Sequence, residues 1–174
     1  FPCCKINLGL NVVGKRPDGY HDLETVFYPV PLCDALEVTE MDAQFPSPYD
    51  CDLKVTGNAV DCDEQKNLVV KAYHLLRQHA PVPRAHIHLY KRIPSQAGLG
   101  GGSADAAYTL RLLNQQFGAN LSDADLRLLA KRLGADCPFF IGDAPAYAER
   151  IVPVRFDAET RIDSFVVKQK NAGH

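Results

Sequence analysis

The sequence lacks most of the features that would place it outside the ordinary globular proteins. Its 174 residues include no tryptophan and one methionine, and 19 basic against 21 acidic residues leave a formal net charge of −2. A chain so close to neutral has no overall positive field to attract nucleic acid or an anionic membrane. No apolar run approaches the roughly 18 residues of a transmembrane helix, and no charged-apolar leader is visible. With 46% hydrophobic residues, we expect a globular protein without a nucleic-acid or membrane partner.

The cysteines show no metal-binding or redox spacing. None of them forms a Cys-x-x-Cys pair, and a chain of this length builds its own core without covalent staples. We therefore expect free thiols in a reducing, cytoplasmic compartment. Cys51 and Cys62 bracket a plausible hairpin and are the best-placed exception. The six cysteines lie at positions 3, 4, 33, 51, 62 and 137.

The apolar periodicity predicts a mixed α/β (α+β) fold, with strands first and helices interleaved later. In 85–91, Ile87 and Leu89 share one face of a strand, and His86 and His88 share the opposite, solvent-facing side. His74 and His79 lie five apart on a helix, which is poor spacing for chelation, so we expect no protein-held metal site. The predicted strands are 4–13, 23–30, 35–40, 53–56, 85–91, 146–148, 152–156 and 164–168, and the predicted helices are 67–79, 103–117 and 122–133.

A glycine-rich loop carries the strongest functional signal. Four glycines occupy five positions over 98–102, although each costs about 0.5–1 kcal/mol inside a helix or strand. The loop leads directly into a predicted helix, whose free N–H groups and partial positive charge favour phosphate. It is neither a Walker A loop nor Gly-x-Gly-x-x-Gly, because Ser103 takes the sixth position. The alternative is a flexible connector, but the hydroxyl of Ser103, as a helix cap, favours a phosphate cradle. The cradle comprises Pro94, Ser95, Gln96, Ala97, Gly98, Leu99, Gly100, Gly101, Gly102, Ser103 and Ala104.

This loop resembles the central phosphate-binding motif of the GHMP kinase superfamily. Three further stretches resemble one family within it, the 4-diphosphocytidyl-2-C-methyl-D-erythritol kinases. They are 5–8 (Lys-Ile-Asn-Leu, with Cys4 where alanine is usual), 16–23 (Arg-Pro-Asp-Gly-Tyr-His-Asp-Leu) and 134–140 (Gly-Ala-Asp-Cys-Pro-Phe-Phe). The four stretches follow the family's order between positions 5 and 140. The family's usual Gly-Ile-Gly after 146–149 is absent, because Arg150, Ile151 and Val152 stand there.

The resemblance implies a GHMP kinase fold of two α/β domains, the first of which resembles a ribosomal-protein fold, with the active site between them. It assigns 1–150 to the N-terminal, ATP-binding domain and 151–174 to the start of an incomplete C-terminal domain. It implies transfer of the γ-phosphate of ATP to the 2-hydroxyl of 4-diphosphocytidyl-2-C-methyl-D-erythritol, a step in cytoplasmic isoprenoid-precursor synthesis. We expect that small molecule as partner, and Mg²⁺ held largely by the ATP phosphates and water. Because the first residue is Phe, we expect the chain to be part of a longer protein; its oligomeric state stays open.

The resemblance also assigns roles to single residues. Asp136 matches the family's general base, which would take the proton of the attacking alcohol; a helix cap is the alternative. Lys5 matches the catalytic lysine, whose ammonium would keep Asp136 ionised and stabilise charge on the transferring phosphoryl group; a solvated surface lysine is the alternative. Asn7 lies two residues further along the same strand face, so both side chains would reach one substrate; a buried asparagine with only a hydrogen-bonding role is the alternative.

Three more residues match binding positions of the family. Tyr20 and His21 resemble the pair that holds the cytosine base, through a stacking aromatic ring and a hydrogen-bonding edge. The alternative is a tyrosine that packs on the turn and a histidine that caps it. Asn67 resembles a residue near the adenine of ATP, although an asparagine there is equally suited to cap the helix that follows.

Other functions are compatible with parts of this pattern. Another GHMP kinase, acting on mevalonate-type, homoserine or sugar substrates, would keep the glycine loop but would have no use for the cytosine-binding pair. A nucleotide-binding module without catalysis would keep the loop but would not need Lys5 and Asp136. An RNA-binding domain is disfavoured by the net charge of −2 and by the lack of a stripe of alternating basic and aromatic residues.

Overall fold

The computed structural model describes residues 1–15, 21–142, 144–149 and 152–155. Seven strands and three α-helices build these segments, so the predicted mixed α/β architecture is confirmed. The strands are β1 Cys3–Lys15, β2 His21–Cys33, β3 Ala35–Glu40, β4 Cys51–Gly57, β5 Ala85–Lys91, β6 Ala146–Glu149 and β7 Val152–Arg155, and the helices are α1 Leu68–Arg77, α2 Gly101–Gln116 and α3 Asp123–Leu133.

A four-stranded antiparallel sheet has the order β1-β2-β6-β7. Its two long strands form a ribbon in which Lys5 lies opposite Pro29 and Asn7 opposite Phe27. The predicted domain boundary at 150 falls between β6 and β7, which are paired neighbours; the division stays a prediction. The predicted strand 164–168 lies outside the described residues.

A second sheet of three strands has the order β3-β5-β4. Strand β5 runs antiparallel to β3 and parallel to β4. Two parallel neighbours need a crossover connection, and α1 supplies it between β4 and β5. The alternation predicted for β5 is confirmed, because Ala85, Ile87 and Leu89 are buried whereas His86 and His88 are partly exposed.

Helices α1 and α3 begin at residues whose side chains cap them. The Asn67 side chain accepts the N–H of Val69 at the start of α1. The hydroxyl of Ser122 and the carboxylate of Asp125 form a reciprocal capping box at the start of α3, which confirms the predicted N-cap. Helix α2 begins at Gly101, two residues before the predicted start, because two loop glycines join its first turn. Two short 3₁₀ helices, Glu64–Lys66 and Cys137–Ile141, complete the described helical segments.

The core lies where the three helices meet the inner faces of the two sheets. Its largest fully buried side chains come from α1, β5 and α2, namely Tyr73, Leu76, Ile87, Leu89, Leu110 and Leu113. In the part of the chain that the structure describes, no helix is both long and apolar enough to cross a bilayer.

The expectation of free thiols throughout is wrong. Cys3 and Cys33 form a disulfide, because the antiparallel register of β1 and β2 places them opposite each other. The suggested alternative pair is wrong as well, since Cys51 is a buried free thiol and Cys62 an exposed one. Burial raises the pKa of Cys51 to about 12, which keeps that thiol protonated and unreactive.

Candidate functional site

The glycine-rich loop borders a pocket of about 410 Å³ between β5, α1 and α2. This volume lies within the range of small-molecule sites in proteins. One side of the pocket is the loop itself, from Pro94 to Gly102, continued by Ser103. The opposite side comes from the segment that leads into α1 and from its first residues: Val60, Cys62, Lys66, Asn67, Leu68 and Lys71. The pocket therefore gathers nearly the whole predicted cradle.

Two loop positions have no room for a side chain. Gly100 has a φ of 70°, and a Cβ there would lie 3.0 Å from Cζ of Phe140. A Cβ on Gly101 would lie 2.8 Å from Cγ2 of Ile93. Glycine at both places lets the start of α2 pack directly on its surroundings, and the first N–H groups of a helix have no partners within it.

The predicted hydroxyl cap of α2 is wrong. The N-cap residue is Gly100, in the left-handed conformation and without a side-chain cap. Ser103 lies one turn too late for capping, and its hydroxyl is a hydrogen-bond partner of the Cys137 thiol. Burial raises the pKa of Cys137 to about 11, so this thiol is protonated at neutral pH. Because the cap is a glycine, the cradle consists of backbone groups at this point.

Beside the loop, the structure brings together Lys5, Asn7 and Asp136. The Lys5 ammonium donates to Oδ1 of Asn7 at 2.6 Å and lies 3.5 Å from Oδ2 of Asp136. It also lies 4.7 Å from the centroid of the Phe27 ring. Lys5 is only 5% exposed, which rules out a solvated surface lysine.

Asp136 has a side chain directed towards that ammonium. The residue precedes the 3₁₀ helix Cys137–Ile141, but its carboxylate makes no capping hydrogen bond there. The side chain is 36% exposed and pairs with Lys5. The structure therefore does not support the alternative that Asp136 is an ordinary helix cap.

The ion pair and the loop are joined through the backbone. The N–H of Lys5 donates to the carbonyl oxygen of Leu99 at 2.9 Å. A Cβ on Gly100 would lie 3.2 Å from Cε and Cγ of Lys5, so the lysine stem packs directly on the loop. The glycine-rich loop and the Lys5–Asp136 pair are parts of one site.

Asn67 caps α1 and also lines the pocket, while its place near the adenine of ATP stays a prediction. Its Oδ1 accepts the N–H of Val69 at 2.9 Å and caps α1, and the residue also lines the pocket. Tyr20 lies outside the described residues, and His21 is described only as the first residue of β2. The interpretation of these two residues as a cytosine-binding pair stays a prediction.

Sequence reasoning missed a buried charge cluster under the loop. The Lys91 ammonium pairs with the carboxylates of Asp34 and Asp105, and all three residues are at most 4% exposed. Burial acts to lower the pKa of Lys91, but the two neighbouring carboxylates act more strongly in the opposite direction. The net effect raises the pKa above its usual value. The signal was present, because Lys91 continues the buried alternation of 85, 87 and 89, and Asp105 is an acidic residue among the alanines of a buried helix face.

Comparison with known proteins agrees with this geometry. Residues 67–144, which include the whole loop and Asp136, match the family described as GHMP kinases N terminal domain. This part of the chain is similar to a GHMP kinase N-terminal domain. The resemblance to 4-diphosphocytidyl-2-C-methyl-D-erythritol kinases is confirmed as well. An enzyme of that name from Bacteroides fragilis is 55% identical over 151 residues, which are 87% of this chain and 54% of the relative.

Two further relatives of this chain are named for the same enzyme. The enzyme from Bacteroides thetaiotaomicron is 54% identical over 154 residues, which are 87% of this chain and 54% of that one. A crystal structure of 4-(cytidine 5'-diphospho)-2C-methyl-D-erythritol kinase has a TM-score of 0.69 to this chain, with 36% sequence identity. The match covers 90% of this chain and 55% of the chain in that crystal structure. The chain thus spans about half the length of the relatives that it matches.

Proposed function

We propose that this chain is the ATP-binding part of a kinase that phosphorylates the 2-hydroxyl of 4-diphosphocytidyl-2-C-methyl-D-erythritol. The observation that carries the proposal is the Lys5–Asp136 pair, 3.5 Å apart, attached to the glycine loop through the 2.9 Å hydrogen bond between Lys5 and Leu99. A pocket for a nucleotide alone would not need a lysine and a carboxylate at the end of its phosphate cradle. The names of the relatives supply the acceptor substrate.

The proposed reaction is an in-line transfer that depends mainly on positioning and charge. The alcohol oxygen attacks the γ-phosphorus of ATP while its proton passes to the Asp136 carboxylate, and ADP leaves with the electrons of the broken P–O bond. Lys5 lies where its ammonium stabilises both the Asp136 carboxylate and the negative charge of the phosphoryl oxygens. Asn7 holds the lysine in place through its 2.6 Å hydrogen bond.

Mg²⁺ enters with ATP as part of the substrate in this scheme. Among the described residues, no three His, Cys, Asp or Glu side chains are grouped closely enough to hold a metal ion. The pocket offers backbone N–H groups and the lysines Lys66 and Lys71 instead. Such donors suit the oxygens of a nucleotide whose phosphates and water carry most of the coordination of the ion.

An ADP-release assay with the full-length protein tests the choice of substrate. We expect turnover with 4-diphosphocytidyl-2-C-methyl-D-erythritol and none with mevalonate or homoserine. Turnover with one of the other alcohols would keep the phosphate cradle and refute the proposed acceptor. ADP binding without turnover on any alcohol would favour the nucleotide-binding module.

A further inference from the structure

The buried ammonium of Lys91 lies directly beneath the phosphate loop. Lys91 ends β5, and its ammonium donates to Oδ2 of Asp34, a fully buried residue between β2 and β3. The same ammonium donates to Oδ2 of Asp105, in the second turn of α2, at 2.6 Å. One cation thus joins three segments that are far apart in the sequence.

Asp34 also fixes the chain where β5 leads into the loop. Its Oδ1 accepts the N–H of Arg92 at 2.6 Å and the N–H of Ile93 at 2.8 Å. A Cβ added to Gly101 would lie 2.8 Å from Cγ2 of Ile93 and 3.4 Å from Nζ of Lys91. The first residue of α2 therefore rests on the end of the strand and on the ammonium itself.

The stability of the fold gives no reason by itself for a buried ion cluster at this place. A cation near a helix N-terminus opposes the helix dipole, and apolar side chains of similar volume often replace a buried ion cluster without loss of stability. Within the described residues, Oδ1 of Asp105 has no hydrogen-bond partner. Its other oxygen, Oδ2, accepts from Lys91, and the carboxyl group also interacts with Asp34.

We propose that Lys91, held by Asp34 and Asp105, is a positioning residue that sets the first turn of α2 so that the amides of the phosphate loop face the nucleotide. Lys91 and Asp105 also line the pocket, but the ammonium is engaged by the two carboxylates, so it acts through the loop. The inference rests on the proposed function for its nucleotide, but the position of the loop is measurable without one.

The first test compares hydrogen exchange of the amides of 104–107 in the full-length protein without nucleotide, because the hydrogen bonds of α2 begin where Ala104 donates to the carbonyl of Gly100. Lys91→Met removes the charge and keeps the length of the side chain. Thr109→Val is the matched control, because Thr109 is fully buried one turn further along α2 and its hydroxyl bonds to the carbonyl of Asp105. At equal global stability, we expect exchange of these amides to be about tenfold faster in Lys91→Met than in the control. Equal exchange in both variants would overturn the proposal.

The second test measures ADP affinity by calorimetry. We expect Lys91→Met and Asp105→Ala to bind ADP about tenfold more weakly, and Asp105→Asn, which keeps an acceptor for the ammonium, to stay within about threefold of the wild type. If Lys91→Met does not fold, Asp105→Ala takes its place in both tests. Faster exchange in Lys91→Met, together with a wild-type protein that binds no ADP, would support the positioning role and refute the proposed function. Unchanged exchange with normal ADP binding would refute the positioning role alone.

Discussion

Nζ of Lys5 lies 3.5 Å from Oδ2 of Asp136, although 130 residues separate the two in the sequence. Lys5 belongs to the first strand, and Asp136 precedes a short 3₁₀ helix after α3. The Lys5 backbone bonds to the phosphate loop, so the pair lies at the end of a cradle suited to the phosphates of ATP.

Replacement of Lys5 is expected to abolish most of the activity. Lys5→Met removes the ammonium that pairs with Asp136 and stabilises charge on the phosphoryl group, so we predict a fall in kcat of about 10²-fold or more. Lys54→Met, on an exposed position of β4, is the control and should retain the wild-type kcat. Steady-state assays of the full-length proteins measure both, and equal rates would contradict the role of Lys5.

The two glycines at 100 and 102 should differ in their tolerance of alanine. Gly100→Ala places a Cβ 3.0 Å from Phe140 at a φ of 70°, which we expect to lower the free energy of unfolding by about 1–3 kcal/mol. Gly102 has only Leu68 at 3.9 Å from its Cβ position and lies within α2. Gly102→Ala should leave the melting temperature unchanged or raise it, because alanine favours a helix by about 1 kcal/mol. Thermal unfolding compares the two, and an equal loss in both would contradict the packing described here.

The stability of the protein should depend on pH through Asp105. The pKa of Asp105 is raised from its ordinary value of 3.8 to about 7. Burial and the neighbouring Asp34 raise it, and Lys91 offsets only part of this effect. Between these values the folded protein keeps a proton that the unfolded chain has lost, so stability from this group falls as the pH rises and levels off above 7.

Asp105→Asn removes this dependence. Relative to that variant, we predict that the wild type loses up to about 1 kcal/mol of unfolding free energy per pH unit across the window. Urea unfolding of both proteins, at several values between about pH 4 and pH 8, measures the difference. Parallel curves for the two proteins would show that Asp105 does not titrate in this range.

The Cys3–Cys33 disulfide predicts a definite labelling pattern. Alkylation of the unfolded, unreduced protein should modify four cysteines, which are Cys4, Cys51, Cys62 and Cys137, and reduction should bring the count to the six in the sequence. Because the bond closes a loop of 30 residues, its reduction should lower stability by about 3–4 kcal/mol. Modification of all six without reductant would show that the bond does not form.

Part of the geometry of the candidate site could be predicted from the sequence, and the features that could not be predicted have physical causes. The period of a strand places Lys5 and Asn7 on one face, and glycines before a helix indicate a phosphate cradle, so these features could be predicted from local pattern. The roles of Asp136 and Lys5 came from the resemblance, since no local pattern brings the two together.

The remaining features depend on pairing across long distances. Cys33 meets Cys3 only through the register of two long strands. Lys91 finds Asp34 from 57 residues away, and its charge made burial on the inner face of β5 an exception to the usual position of lysine. The spacing along β5 indicates that Lys91 lies on the buried face, but the identity of its partners, like the pairing of the two cysteines, follows only from the fold.

The central claim is that Asp136 acts on the substrate hydroxyl at the end of the phosphate cradle. Asp136→Asn keeps the shape of the side chain and removes its basicity, so the most direct measurement is kcat of this variant alongside its affinity for ADP. We predict a fall in kcat of about 10²-fold or more with ADP affinity unchanged, while Asp123→Asn, on an exposed carboxylate of α3, behaves as the wild type. A variant with the full kcat of the wild type would contradict the account.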